Sequence, residues 1–522
     1  MASGYVIRKN QYYDSVFLMR VAKTLNDEAG VEQSAVVMAT DANKELVAQI
    51  NITGSSIDAA TPNDLIIAII ASEMDIVERL LANIDQSLES FSDSIKSTNY
   101  HVIEEAAQAN PDANLVVISV PGAYAAQQAQ KALEGGKHVF LFSDNVSIEE
   151  EVKIKEFARA RGLLVMGPDC GTSLIGGTGI GFANKVRRGP IGVVGASGTG
   201  IQEFTSLVHQ SGSGISHAIG TGSHDLSDAV GGITALMGLE ALDADSATKV
   251  ITIISKPAGA ATLNRVIDRI RTCAKPVVAC FLGLQQSLDN VSPVLHQAHS
   301  IDEAVSLSLA QVGIKLPAGL SVNEGATKTW IAQETAGWRP AQRYLRGLFA
   351  GGTFCYQAQQ MLRSAGIQAY SNAPLDKRYR LESPEVSLEH TIIDMGDDFF
   401  TQGKPHPMID ATQRRKRLFT EAEDPEVCII LLDFILGYIA SNDPVGDLIT
   451  AIQRAKEIAR KRGDRLTFVA SICGTDQDTQ DFGQQDKLLQ EAGVLVFPTN
   501  ASAARFCAEL ILAKEGILKN GK

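Results

Sequence analysis

The sequence predicts an α/β protein with a Rossmann-like N-terminal domain followed by two flavodoxin-like domains. Three observations lead there. Apolar strand-like runs alternate with helix-like patterns from early in the chain, which points to parallel sheets with crossover helices. Two later segments each pass from a strand through a Gly-Thr turn into a helix, with strands at Ile191–Val194 and Leu345–Phe349. In both, a glycine follows fourteen residues after the first, Gly198 to Gly212 and Gly352 to Gly366, so the segments read as an internal repeat.

The boundaries follow from turn chemistry. A chain of 522 residues is too long for one core, and domains of about 100–200 residues make three the expected count. The first, 1–188, takes strands at Ser34–Val37, Asp64–Ile70, Ala113–Val120 and Val139–Phe142, with a helix over Gly122–Leu133. Ser147 is the expected N-cap of a helix whose first turn carries Glu149, Glu150 and Glu151, where carboxylates suit the helix dipole. The second domain spans 189–312, a Pro/Gly/Thr-rich linker covers 313–340, and the third runs from 341 to 522.

Composition narrows the function. With 45% hydrophobic and 20% charged residues the chain has ordinary globular cores. A net charge of −13, with basic runs only at 185–188 and 414–417, argues against a nucleic-acid partner, and both runs read as solvated turns or helix faces. Seven cysteines without a C-x-x-C pair predict neither a disulfide framework nor a metal site. The N-terminus lacks an apolar leader, and no apolar stretch reaches the ~20 residues that span a bilayer, so a cytoplasmic protein without a membrane partner is expected.

Glycine turns that open helices point backbone N–H groups at an anion, which makes Gly195, Gly198, Thr199 and Gly200, and Gly351, Gly352 and Thr353, candidate phosphate binders. Neither turn is a Walker A, and such turns also serve simply to pack helix against strand. Ser197 is a candidate hydrogen-bonding residue of the site. His406, between Pro405 and Pro407, is either catalytic or loop-stabilising; Asp394, Asp397 and Asp398 just before it could orient the ring or cap a turn. Asp169 and Thr475, the latter beside Asp476 and Asp478 in a polar loop after a buried strand, are candidate substrate contacts.

These residues carry a resemblance. Val120-Pro121, Gly167-Pro168-Asp169-Cys170 and Gly195–Gly200 resemble, in the same order, the α subunit of succinyl-CoA synthetase. Ala350-Gly351-Gly352 and His406–Asp410 resemble the third domain of NDP-forming acyl-CoA synthetases. Phe142–Val146, Met166–Thr172, Asp397-Asp398-Phe399 and Gly403–Pro407 extend the likeness over nearly the whole chain to the FdrA family. The resemblance implies succinyl-CoA synthetase-type lobes that hold a phosphohistidine between two helix N-termini. The chain departs from that pattern in four places. No histidine stands at Gly283–Gln286, Ser255-Lys256-Pro257 replaces the orienting acid, no glycine-rich turn lies between Gly4 and Thr40, and no ATP-grasp domain is recognised. A phosphohistidine, CoA and nucleotide are therefore not expected on this chain.

The resemblance to the FdrA family implies a subunit of oxamate carbamoyltransferase, which converts oxalurate and phosphate to oxamate and carbamoyl phosphate. Phosphate or carbamoyl phosphate would then be the ligand, held by Gly198, Thr199, Gly352, Thr353 and Ser197, with His406 polarising the ureide or moving a proton. Companion subunits, a small-molecule substrate and a homo- or hetero-oligomer are expected. The alternatives are an acyl-CoA synthetase working with a nucleotide-binding subunit, and a non-catalytic scaffold or ligand sensor.

Overall fold

The computed structural model describes residues 2–11, 13, 15–85, 88, 100–284, 286–288, 290–320, 324–402 and 404–516. They divide into two units, Met1–Pro111 with Asp398–Asp410, and Asp112–Asp397 with Ala411–Lys522.

In the first unit, β1 (Ala2–Arg8), β2 (Val31–Met38) and β3 (Leu65–Ala71) form an antiparallel sheet in the order β1-β3-β2. Leu18, Val21 and Leu25 of helix Ser15–Asn26 and Val77 and Leu80 of helix Met74–Ala82 pack on Leu65, Ile67 and Ile69. Val47, Ile52 and Ile57 cover Ile66 and Ala68 on the opposite face. The expected parallel Rossmann-like arrangement for 1–188 is thus corrected here. The run LIIAIIA of β3 signals burial on both faces, which parallel sheets usually provide, but an antiparallel strand covered by helices on both sides gives the same pattern.

The second unit contains three sheets. The parallel set β4 (Leu115–Ile118), β5 (His138–Leu141) and β6 (Val165–Met166) is the part of 1–188 that fits the Rossmann expectation. Ser147 caps helix Ile148–Arg159 as predicted, accepting from Glu150 N. The hairpin β7 (Thr172–Ile175) and β8 (Thr178–Gly181) belongs instead to the next sheet, with β9 (Arg188–Gly195), β10 (Ile215–Gly220), β11 (Val250–Ser255), β12 (Val277–Phe281) and β13 (Leu295–Ala298). Its order is β13-β12-β11-β9-β10-β7-β8. The last sheet is wholly parallel: β14 (Tyr344–Phe349), β15 (Thr391–Asp394), β16 (Val427–Ile435), β17 (Thr467–Cys473) and β18 (Leu495–Phe497), ordered β15-β14-β16-β17-β18.

The repeat is real in backbone terms. In each lobe the first strand lies between its two successors, so the chain reverses its winding direction there and leaves a crevice at the carboxyl ends of the strands. Helices Gly198–Gln210 and Gly352–Ser364, both 13 residues long, start at those crevices. They end at Gly212 (φ +80°) and Gly366 (φ +82°), left-handed positions that glycine occupies without steric cost.

Two further expectations change. The 313–340 linker contains helix Glu324–Ala336, whose Trp330 packs edge-on against Phe497 and Phe506; residues 321–323 lie outside the described set. The 414–417 run is not a solvated face. Arg414 and Arg417 point inward to Asp433 (2.9 Å) and Glu421, because residues three apart share one face of helix Thr412–Glu423. All seven cysteines are buried, and no helix among the described residues is long and apolar enough to cross a membrane.

The two lobes interlock through capping groups exchanged between them. Glu203, buried on helix Gly198–Gln210, accepts from Asn500 N (2.8 Å) at the start of helix Asn500–Lys514 and from Gln357 Nε2 (3.3 Å). Gln357 Oε1 in turn accepts from Ile301 N (3.0 Å), the first residue of helix Ile301–Gln311. Burial pushes the Glu203 carboxyl up to about 7, against the pull of these donors. A folded-state pKa above the unfolded value means that the contribution is complete below the ordinary carboxylate range and is lost as pH rises through about 7. Glu203→Gln should therefore melt about 2–5 °C above the unmodified protein at pH 8, the gain shrinking steadily toward pH 4.5, as scanning calorimetry across that range would measure.

Candidate functional site

The two glycine loops of the second unit adjoin. Ser197 Oγ lies 2.6 Å from Thr353 Oγ1, both residues being buried, and Ser197 Oγ also accepts from Gly200 N (3.0 Å) as the N-cap of its helix. One hydroxyl pair thereby joins the N-terminus of helix Gly198–Gln210 to that of helix Gly352–Ser364. A Cβ at Gly351 would lie 3.0 Å from Thr199 Cγ2, so the backbones meet closely here.

Within this frame the loops are chemically unequal. Asp433, at the end of β16, accepts from Ala350 N (2.8 Å) and Gly351 N (2.8 Å) and pairs with Arg414. Gly351 N–H therefore already serves an internal carboxylate and is not open to phosphate, which corrects its predicted role. Gly195 is a packing residue: a Cβ there would lie 2.7 Å from Ile254 O. Gly200 N–H is held by the Ser197 cap. The N–H groups of Gly198, Thr199, Gly352 and Thr353 remain without a hydrogen-bond partner among the described residues, as helix starts leave them.

Three residues complete the crevice. Lys256 stands exposed just past β11, its Nζ 5.8 Å from the ring centroid of Tyr356 on helix Gly352–Ser364. A Cβ at Gly283, in the turn after β12, would lie 3.0 Å from the Tyr356 hydroxyl, so this turn, which lacks the histidine of the resembled pattern, adjoins Tyr356. Gln285 of that turn lies outside the described residues. Asp394, 8% exposed at the end of β15, has Oδ2 only 2.5 Å from the position a Cβ on Gly352 would take. Burial pushes its carboxyl up to about 6, with the Lys256 charge and the Gly396 N–H opposing and Asp397 adding to the rise. Sequence reasoning placed Asp394 only as a partner for His406 and named Lys256 only as a departure.

The remaining predicted residues are held by other contacts. His406 and Asp398 belong to the segment Asp398–Asp410 that groups with the first unit, whereas Ser197, Thr353 and Asp397 belong to the second. His406 Nδ1 accepts from Met408 N (3.2 Å), a local turn contact; Gly403 before it lies outside the described residues. Thr475 donates to Lys185 O (2.7 Å), and Asp478 accepts from Asn184 Nδ2 and Lys185 N (both 2.8 Å). Their polar atoms thus latch the last lobe to the segment before β9. Asp169 is exposed in the turn after β6, its backbone N–H donating to Ser143 O (2.9 Å).

Comparison with known proteins fits this architecture. The CoA-ligase family matches residues 348–510, the CoA binding domain family 186–281, and the AllF heavy metal-associated domain family 1–105. The protein described as uncharacterized protein YahF, from Escherichia coli (strain K12), is 40% identical over 520 residues, covering 99% of this chain and 100% of that one. The chain belongs to this FdrA-like family. The ADP-forming succinate–CoA ligase subunit alpha of Methanothermobacter thermautotrophicus is 29% identical over 187 residues, 35% of this chain and 62% of that subunit. A dinucleotide-forming acetyl-coenzyme A synthetase 1 from Ca. Korarchaeum cryptofilum, solved with phosphate and ADP, covers 81% of this chain and 87% of its own at 16% identity; its TM-score of 0.31 is too low to carry an argument. The CoA binding domain match falls on the lobe built around β9.

The family's first domain is named for heavy metals, and the residues here do not fit one. Residues 1–105 contain no cysteine and a single histidine, His101, and no group of three His, Cys, Asp or Glu among the described residues could hold an ion. A soft metal needs thiolate or clustered imidazole ligands, and this segment supplies neither.

The central hydroxyl pair gives a direct test. Ser197→Ala removes both a helix cap and the bond to Thr353, and should lower unfolding free energy by about 1–3 kcal/mol in urea titrations. Thr353→Val, which leaves the cap on Gly200 intact, should cost less.

Proposed function

We propose that the crevice between the two glycine loops handles phosphate and an acyl phosphate, and that the chain is one subunit of a CoA-ligase-type enzyme completed by companion subunits. The observation that carries this reading is the junction of Ser197 with Thr353, which sets two helix N-termini side by side with four open N–H groups and Lys256 nearby. Such donors stabilise oxyanion charge without a metal and without reorganising during reaction. The similarity to the CoA-ligase family and to a succinate–CoA ligase α subunit supports the ligase class. In that class the acyl group would pass between phosphate and a thiol or amine acceptor, with nucleotide handled on another polypeptide.

A second reading is favoured by one feature. No histidine occurs from 282 to 294, and Lys256 stands where the orienting acid belongs, so direct transfer without a phosphoenzyme suits these residues better than a phosphohistidine relay. Carbamoyl transfer, with oxalurate and phosphate giving oxamate and carbamoyl phosphate, is such a reaction.

The test is reconstitution. The chain mixed with candidate partner subunits should turn over an acyl substrate, with little activity alone, and Lys256→Glu should reduce kcat/KM by about tenfold or more by placing a negative charge at the anion site. Acyl-CoA formation from ATP, CoA and acid would establish the ligase reading, whereas oxalurate phosphorolysis without CoA would establish the carbamoyl reading. Full activity of the isolated chain would remove the need for partners.

A further inference from the structure

The Asp394 carboxylate is engaged through one oxygen. It is more than nine-tenths buried, its Oδ1 accepts from Gly396 N (2.9 Å), and its Oδ2 has no hydrogen-bond partner among the described residues. That free oxygen abuts Gly352, the first residue of the helix whose N–H groups are open. Any side chain at 352 would collide with it, so glycine here keeps space between a carboxylate and a helix start. A bare carboxylate beside donors meant for an anion is repulsive unless the incoming anion brings a proton.

We propose that Asp394 Oδ2 is a specificity-determining acceptor, which takes a hydrogen bond from the P–OH of inorganic monohydrogen phosphate bound at the start of helix Gly352–Ser364 and rejects oxyanions that carry no proton. This rests on the reading of the crevice as a phosphate site, and deepens it by naming the protonation state of the ligand. Phosphate keeps one proton near neutral pH, whereas sulfate of the same shape and charge keeps none, so an ionised acceptor separates them. Sulfate would set its lone pairs against those of Oδ2 in a partly desolvated site, where an unmatched pair of like groups is expensive.

The surroundings of Asp394 define when it is ionised. Lys256, past β11, favours the charged form. Asp397 in its own loop and Asp433 on β16 oppose it, the latter already engaged with Arg414 of helix Thr412–Glu423. Cys355 on helix Gly352–Ser364 is a buried thiol pushed further from ionisation, and so brings no charge. With a carboxyl raised to about 6, the group is mostly ionised at pH 7.5 and mostly protonated at pH 5.

Isothermal titration of the full chain with inorganic phosphate and with sulfate tests this. The unmodified protein should prefer phosphate by at least about tenfold at pH 7.5, a margin typical of one hydrogen bond to a charged group. At pH 5, where protonated Asp394 donates to either anion, the preference should collapse. Asp394→Asn, whose amide also donates to either, should abolish it at pH 7.5 while phosphate still binds. Phosphate binding with a selectivity unchanged by both pH and Asp394→Asn would overturn the assignment of Asp394 and leave the phosphate reading standing. Equal binding of the two anions by the unmodified protein at pH 7.5 would overturn it likewise. Failure of both anions to bind at every pH would overturn the phosphate reading and the assignment with it. The pH comparison uses the unmodified chain, so poor folding of the variant does not blunt the test.

Discussion

The arrangement of the second unit depends on one constraint: two open α/β lobes must be docked through helices that both begin at the crevice. Apolar helix faces alone would leave the register of the two lobes loosely defined. The chain fixes that register with hydrogen bonds exchanged between lobes, while the helix starts at the crevice keep open N–H groups. Glu203 serves the start of helix Asn500–Lys514, Gln357 serves the start of helix Ile301–Gln311, and Ser197 touches Thr353. Each contact is satisfied only when both lobes are in register, so the geometry of the crevice is fixed by groups well behind it.

A second buried network fixes the sheet of β4–β6 to the lobe built around β9. Lys155, wholly buried, donates to Glu151 (2.6 Å), Asp225 (2.7 Å) and Thr221 O (3.0 Å). Asp225 also receives Thr234 N and Ala235 N at the start of helix Ile233–Ala244. Buried ions of this kind contribute little net stability against an apolar replacement, but removing one partner leaves an uncompensated charge and is severe. The function of the network is positional. It holds the turn containing Asp169 against Gly222, where a Cβ would lie 2.2 Å from Pro168 O.

Much of this was legible in the sequence. The paired Gly-Thr turns, the fourteen-residue spacing and Ser147 all reported local backbone geometry, which short-range residue chemistry determines. What failed was whatever depends on distant chain. Residues 1–111 read as parallel because strand-like runs alternate there with helix-like patterns, and that alternation records element order without recording strand direction. The 414–417 run read as solvated because the inward pull on Arg414 and Arg417 comes from Asp433 and Glu421, one of them on another element. Gly351 read as a phosphate donor because Asp433 lies eighty-two residues on and no local signal announces it. Asp394 was visible as an acid but not as an acceptor beside a helix start, since its neighbour Gly352 lies forty-two positions earlier in the chain.

The thiols carry a consequence of their own. Every cysteine lies in the second unit, spread over its cores, and all are shielded from solvent. Burial holds them protonated: the Cys170 thiol is pushed up to about 12, and Cys473 and Cys507 well above the ordinary range. Such groups are silent to alkylating reagents until the surrounding core parts. The chain therefore contains seven internal clocks and a thiol-free first unit as background. The order in which Cys170, Cys280, Cys355 and Cys473 become labelled would time the opening of individual cores without any added probe.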